Sequence, residues 1–175
     1  MRLVPALLAV LAAVLLSSCG FQLRGSTSAQ LPYQTFHVAL APEAEVAIWL
    51  RRYIEASGRT RLTAVPTQAE GILQQLHENR QKTILSVDAR GQVREYRLQM
   101  TYGFRVVDAQ SRVLVPPSEI SVSRDMTYNA SMVLAKEQEE ATLWRDINVD
   151  VAAQIMRRLS IIKPRNPELD NEEQP

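Results

Sequence analysis

Apolar and polar residues alternate most clearly between positions 95 and 106. Tyr96, Leu98, Met100, Tyr102, Phe104 and Val106 are separated by Glu95, Arg97, Gln99, Thr101, Gly103 and Arg105. A period of two over this length predicts a long strand with one buried face and one wet face. A shorter copy runs through Phe36, Val38 and Leu40, set between Thr35, His37 and Ala39. Arg61 to Val65 reads as a short strand ended by Pro66. Ile72–His77 and Thr83–Val87 are strand material, readable as one long strand with an irregularity near Asn79. Asp88-Ala89-Arg90-Gly91 carries the Asp and Gly of a hairpin turn. A second turn, Asp108–Arg112, leads into Val113–Val115. Pro116-Pro117 is predicted to break the pairing before Ile120 and Val122 resume it.

Two segments change to helical spacing. Pro42 fits a first helical position, with Glu43 and Glu45 where the helix dipole favours negative charge. Val46, Trp49, Leu50 and Tyr53 then form one stripe, and Gly58 supplies the stop. From about Ser131 to Ile162 the stripe is Leu134, Ala141, Trp144, Ile147, Val151, Ile155 and Leu159, with Asn129 or Ser131 as the N-cap. The fold class expected is α+β. It is an elongated two-layer domain over residues 35–162, with two helices packed on one face of a four- to five-stranded, mostly antiparallel sheet. A strand of this length spans roughly 40 Å and a helix of this length about 45 Å, so the domain is long and slim. The other sheet face is mainly charged or polar.

The two ends of the chain follow different rules. Met1-Arg2, the apolar run Leu3–Leu16 and the small residues Ser17 and Ser18 form a secretory signal over residues 1–18. The run is shorter than the roughly 20 residues that span a bilayer, and it contains Pro5. Leu16-Ser17-Ser18-Cys19 resembles a bacterial lipobox, which implies cleavage and lipidation at Cys19. Two or more acyl chains hold a protein on a bilayer where one gives only marginal binding. Gly20 follows instead of the Asp that retains such lipoproteins at the inner membrane, so an outer-membrane destination is expected. Residues 19–34 read as a lipidated tether, and 163–175, with three prolines and four acids, as a disordered acidic tail.

Composition narrows the chemistry. The 175 residues hold 20 Lys plus Arg against 19 Asp plus Glu. Loss of residues 1–18 removes Arg2 and leaves the mature chain neutral. That excludes a nucleic-acid binder driven by bulk charge. One cysteine excludes a disulfide framework, and two histidines leave little for a transition-metal site. There is no phosphate loop, nucleophile elbow or zinc-protease motif, so no catalytic residue, cofactor or metal is expected. His37 and His77 read as strand histidines, Glu137, Glu139 and Glu140 as a solvated helix face, and Trp49 and Trp144 as core. A hydrolase would need a cleft holding a base beside a nucleophile.

The basic residues give a sharper lead. Arg80, Lys82, Arg90 and Arg94 bracket the turn at Asp88–Gly91, Lys136 lies at the helix entry, and Arg97 and Arg105 lie on the wet strand face. Guanidinium groups grip phosphate bidentately and an ammonium acts as a point charge. Glu78, Asp88, Glu95 and Glu137 are interspersed, so on residues alone the pattern also fits scattered solvation charge.

Three motifs carry a resemblance: Cys19-Gly20-Phe21-Gln22-Leu23-Arg24-Gly25, the turn and strand Gly91-Gln92-x-x-Glu95-Tyr96, and the helix entry Leu134-Ala135-Lys136-x-x-Glu139. In order and spacing they resemble the lipopolysaccharide-assembly lipoprotein E (LptE) family, over nearly the whole chain except the acidic tail. The resemblance implies a non-enzymatic outer-membrane lipoprotein, anchored in the inner leaflet and facing the periplasm. It would sit in the lumen of the β-barrel LptD and bind lipopolysaccharide for insertion into the outer leaflet. It also implies lipopolysaccharide contacts near the hairpin turn and at Lys136. The arginine expected two places before the turn Gly is Ala89 here, with Arg90 one place later, and Arg94 could share the role. The competing expectation is a free-standing lipoprotein that binds anionic glycolipid without a barrel partner.

Overall fold

The computed structural model describes residues 31–161. The expected signal peptide, the expected lipidation site at Cys19, most of the expected tether and the expected acidic tail therefore lie outside the described residues. The strands are β1 (Thr35–Ala39), β2 (Arg61–Leu62), β3 (Gly71–Val87), β4 (Val93–Val107) and β5 (Val113–Thr127). The helices are α1 (Glu45–Ser57) and α2 (Val133–Ile161). They form a five-stranded sheet of order β2-β1-β3-β4-β5. β1 is parallel to β2 and β3, while β3, β4 and β5 pair antiparallel. The α+β class, the two helices and the mostly antiparallel sheet agree with the sequence expectation.

β4 supplies the axis of the core. Leu98, Met100, Tyr102, Phe104 and Val106 are each fully buried, as the period-two pattern requires. They share one core with Leu50 and Ile54 of α1 and with Ile147, Val151, Ile155 and Leu159 of α2, so both helices cover the same sheet face. Leu31 and Tyr33 are buried in this core as well. Two end regions position everything that follows. The base is where β1 and β3 begin. The tip holds the β3–β4 turn, the end of β5 and the start of α2.

Local departures from the sequence reading have physical causes. β3 is one continuous strand, and its irregularity lies at Leu76 instead of Asn79, where the register jumps from Gln75 opposite Phe104 to His77 opposite Gly103. One extra residue reverses the side-chain alternation. Leu73 and Gln75 face the helices before the bulge, and Glu78, Arg80, Lys82 and Ile84 face them after it. Pro116 and Pro117 do not break β5. They occupy a bulge between Val115, opposite Val106, and Ser118, opposite Phe104. An edge strand tolerates this because its outer N–H groups need no partner strand. α1 begins at Glu45, and Pro42 sits in the turn before it, closed by Ala44 N–H donating to the Ala41 carbonyl at 3.1 Å. Gly58 ends α1 at φ 69°, as expected. Asn129 accepts from Ser131 N–H at 3.0 Å, but it caps a single 3-10 turn, Ala130–Met132, that precedes α2. Leu134, assigned to the buried stripe of α2, is 77% exposed. Burial on this helix starts at Ile147, so its first half overhangs the core.

Candidate functional site

The tip is built by one tight turn, the end of β5 and one helix entry. In the β3–β4 turn, Asp88 N–H donates to the Gln92 carbonyl at 2.8 Å, and Gly91 N–H donates to the Asp88 carbonyl at 2.9 Å. Gly91 has φ 77°, a conformation that glycine adopts without steric penalty. The Asp88 carboxylate accepts from the N–H groups of Arg90 and Gln92, both at 2.9 Å. The Gln92 N–H above all, with the Arg90 N–H and the Arg94 charge, holds the Asp88 carboxyl below its ordinary value. Asp88 is thus a fixed anion inside the turn, facing the Arg94 guanidinium.

The three cations singled out in the sequence converge here. Arg94 reaches Asp88 at 3.2 Å while its side chain stays 62% exposed. Its carbonyl accepts from Tyr128 N–H at 2.7 Å, which ties the turn to the end of β5. Next to Tyr128, the Thr127 hydroxyl accepts from Lys136 Nζ at 3.1 Å, and Glu139 accepts from the same ammonium at 2.7 Å. The Lys136 side chain is only 15% exposed. Among the described residues Arg90 has no carboxylate partner. A phosphate arriving at the tip therefore finds Arg90 uncommitted, shares Arg94 with Asp88, and meets Lys136 as a buttressed charge. Tyr96 and Tyr128 stack edge to face at 5.2 Å between these groups, and Lys82 lies 4.5 Å above the Tyr96 ring.

The sequence reading missed the apolar half of this surface. Ile84, Leu85 and Val87 near the end of β3 are exposed, as are Met132, Val133 and Leu134 at the start of α2. Residues Ala130–Ala135 line a shallow depression of about 330 Å³. Lys82 binds Glu140 at 2.6 Å, which lays the first turns of α2 across the sheet toward β3 and brings the two apolar groups to the same end. The missed signal was Leu134 beside Lys136: a helical stripe that continues past the point where the sheet can cover it.

The sheet face away from the helices is polar and internally satisfied. Arg97 pairs bidentately with Asp125 at 2.7 and 2.8 Å, Arg105 donates to Gln74 at 2.8 Å, and Gln99 donates to Ser121 at 3.2 Å. The His77 ring lies flat over Gly103 and reaches Glu119 at 3.2 Å. His37 binds the Thr63 carbonyl at 2.8 Å. Among the described residues no three metal-ligating side chains cluster, and no helix is long and apolar enough to cross a membrane.

Comparison with known proteins identifies the family and the fold. A lipopolysaccharide-assembly family model matches residues 33–159. The LPS-assembly lipoprotein LptE of Yersinia enterocolitica is 26% identical over 164 residues, which cover 89% of this chain and 75% of that protein. The solution structure of lipoprotein B from Nitrosomonas europaea superposes with a TM-score of 0.68 at 32% identity, covering 81% of this chain and 90% of that one. A minor lipoprotein from Acinetobacter baumannii shares the fold, with a TM-score of 0.65 at 23% identity over 78% of this chain and 99% of that one. The matched span runs from the base, where β1 begins, through the tip to the last buried turn of α2, and this chain belongs to the lipopolysaccharide-assembly (LptE) family.

Proposed function

We propose that the chain is a non-enzymatic lipoprotein, anchored through Cys19 in the inner leaflet of the outer membrane. It binds lipopolysaccharide at its tip and fills the lumen of the barrel LptD. The observation that carries the binding role is the convergence of Arg90, Arg94 and Lys136 beside exposed apolar residues of β3 and α2. A phosphorylated glycolipid has both a phosphate for the guanidinium forks and hydrocarbon for the apolar rim. Asp88 and Glu139 hold two of the cations in place, which lowers the ordering needed on binding. The polar sheet face supports the plug role, because the interior of such barrels is polar and offers hydrogen bonds instead of apolar area. With Arg97 paired to Asp125 and Arg105 held by Gln74, that face can enter the lumen with both guanidinium groups already hydrogen-bonded.

Charge reversal tests the site. Hydrogen bonds to charged groups contribute about 1.5–3 kcal/mol each, so R90E, R94E and K136E should each weaken lipopolysaccharide binding about tenfold or more. Circular dichroism should show an intact fold. Unchanged affinity removes these residues from the site. For the plug role, a detergent pull-down of the C-terminally tagged chain from outer membranes should retain a barrel-sized partner at high salt. Recovery of the chain alone would favour a free-standing glycolipid binder.

A further inference from the structure

The base carries a second cationic surface. Arg61 of β2 pairs with Thr35 in parallel register, so α1 runs back to the base and delivers Arg59 and Arg61 there. α2 runs the same way. Its first turns hold Thr127 and Lys82 at the tip, and Asn148 then meets Glu45 at the first residue of α1. Arg157 and Arg158 come roughly 14 Å farther along the axis, level with the last turns of α1. Arg59 and Arg61 are exposed and flank an open depression of about 690 Å³, whose lining includes Gln34, Glu55 and Thr60. Arg157 is exposed and Arg158 half-buried. Arg80, Lys82, Arg94, Arg97, Arg112, Arg124 and Lys136 all sit in ion pairs. Among the described residues none of the four base arginines does. The nearby Glu70 carboxylate is engaged by Gln34 N–H at 2.6 Å.

This is also the end where the chain enters. The Tyr33 carbonyl accepts from the Thr60 hydroxyl at 2.8 Å, and Leu31 and Tyr33 are buried. The stretch from Cys19 to Leu31 reaches at most about 40 Å. An acyl group on Cys19 therefore holds the base close to the surface of the leaflet it enters.

We propose that Arg59, Arg61, Arg157 and Arg158 form an electrostatic foot that rests on the phosphates of anionic phospholipids in that leaflet. The proposal rests on the reading of Cys19 as the lipid anchor. The foot adds to the anchor what acyl chains lack, a fixed orientation. Each arginine at an anionic surface is worth about a fivefold gain in partitioning, and the attraction fades within a Debye length of about 10 Å at 0.1 M salt.

The test uses the mature chain with Cys19→Ser, which removes the acyl contribution. It is sedimented in 0.1 M salt with vesicles of phosphatidylcholine, with and without phosphatidylglycerol. Binding should require phosphatidylglycerol. R59Q/R61Q should lower it about 20-fold, and the charge-matched R105Q/R145Q should leave it unchanged. Equal binding to both vesicles, no binding to either, or equal losses in the two variants would each overturn the foot. Intact mass of the wild-type chain from envelopes reports acylation of Cys19. Failure of the anchor is thereby distinguished from failure of the foot.

Discussion

Asn148 is the polar residue on which the two helices and the sheet converge, and it is fully buried. Its amide donates to the Glu45 carboxylate of α1 and to the Trp144 carbonyl at 2.8 Å. Its carbonyl accepts from Arg80 of β3 at 3.3 Å. Asn148→Asp keeps the shape but removes both donors, and it sets a carboxylate against Glu45. An uncompensated buried charge costs about 3–5 kcal/mol. Arg80 returns part of this, but it already serves Glu78 at 2.7 Å, so about 2–4 kcal/mol is expected at pH 7. Asn148→Leu is the decisive comparison. Arg80 is 41% exposed at its side chain and Glu45 is exposed, so both can turn to water when the amide disappears. That variant should lose about 1 kcal/mol or less. In thermal unfolding the Asp variant should melt roughly 5–15 °C below wild type at pH 7. The pH dependence fixes the cause. Burial beside Glu45 raises the folded pKa of the new carboxyl above its unfolded value. Its penalty is therefore present above the folded pKa and relieved as pH falls through it, so the gap to wild type should narrow from pH 7 toward about pH 5. A gap that stays constant with pH, or a Leu variant as unstable as the Asp variant, would refute charge burial as the main source of the loss.

Two glycines should respond in the reverse order of their crowding. A Cβ on Gly103 would lie 2.3 Å from the His77 ring, and one on Gly71 would lie 2.9 Å from Phe36. His77 is 49% exposed and can swing away, whereas Phe36 is fully buried. Gly71→Ala should therefore cost about 1–3 kcal/mol in urea unfolding and Gly103→Ala almost nothing; equal losses would contradict the packing argument. Acid should weaken the fold through its turn aspartates. Partial burial pushes the Asp108 carboxyl up, but the N–H groups of Arg112 and Gln110 and the Arg112 guanidinium outweigh it, and the net effect is a lowered pKa. Asp88 is lowered as well, chiefly by the Gln92 N–H, and Asp125 by its Arg97 partner. With folded values depressed, their stabilisation is complete above the ordinary aspartate value of 3.8 and lost as pH falls through the lower folded values. Urea midpoints should hold steady down to about pH 5 and drop below about pH 4, with a shallower drop for Asp108→Asn. An identical acid limb in that variant would remove Asp108 from the account.

The parts of the fold legible in the sequence are those governed by a local period. β4 keeps an unbroken alternation, and every apolar residue from Leu98 to Val106 is buried. β3 was harder because the bulge at Leu76 reverses its pattern, and because Arg80 and Lys82 spend their helix-facing positions on Asn148 and Glu140. No hydrophobic count marks such positions as facing the helices. The overhang of α2 was hidden for the opposite reason. Leu134 fits the helical spacing, but burial depends on how far the sheet extends beneath it. The candidate site shows the same division. Arg90 and Arg94 are neighbours in sequence, whereas their meeting with Lys136 depends on β5 returning to the tip and on Tyr128 pairing with Arg94. The base arginines are the least legible of all, since Arg61 and Arg157 are joined only by the shared direction of the two helices.

β3 can also be read as a measuring rod. Its 17 residues rise roughly 50 Å from Gly71 at the base to Val87 at the tip. A bilayer with its headgroups is about 40–45 Å thick. A molecule held by its base at one membrane surface and oriented upright would therefore raise its cationic tip past the opposite surface. The sheet's height would then decide which leaflet's lipids Arg90, Arg94 and Lys136 can meet. Removing residue pairs from the middle of β3, β4 and β5 would preserve every side-chain face while lowering the tip by roughly 7 Å per step.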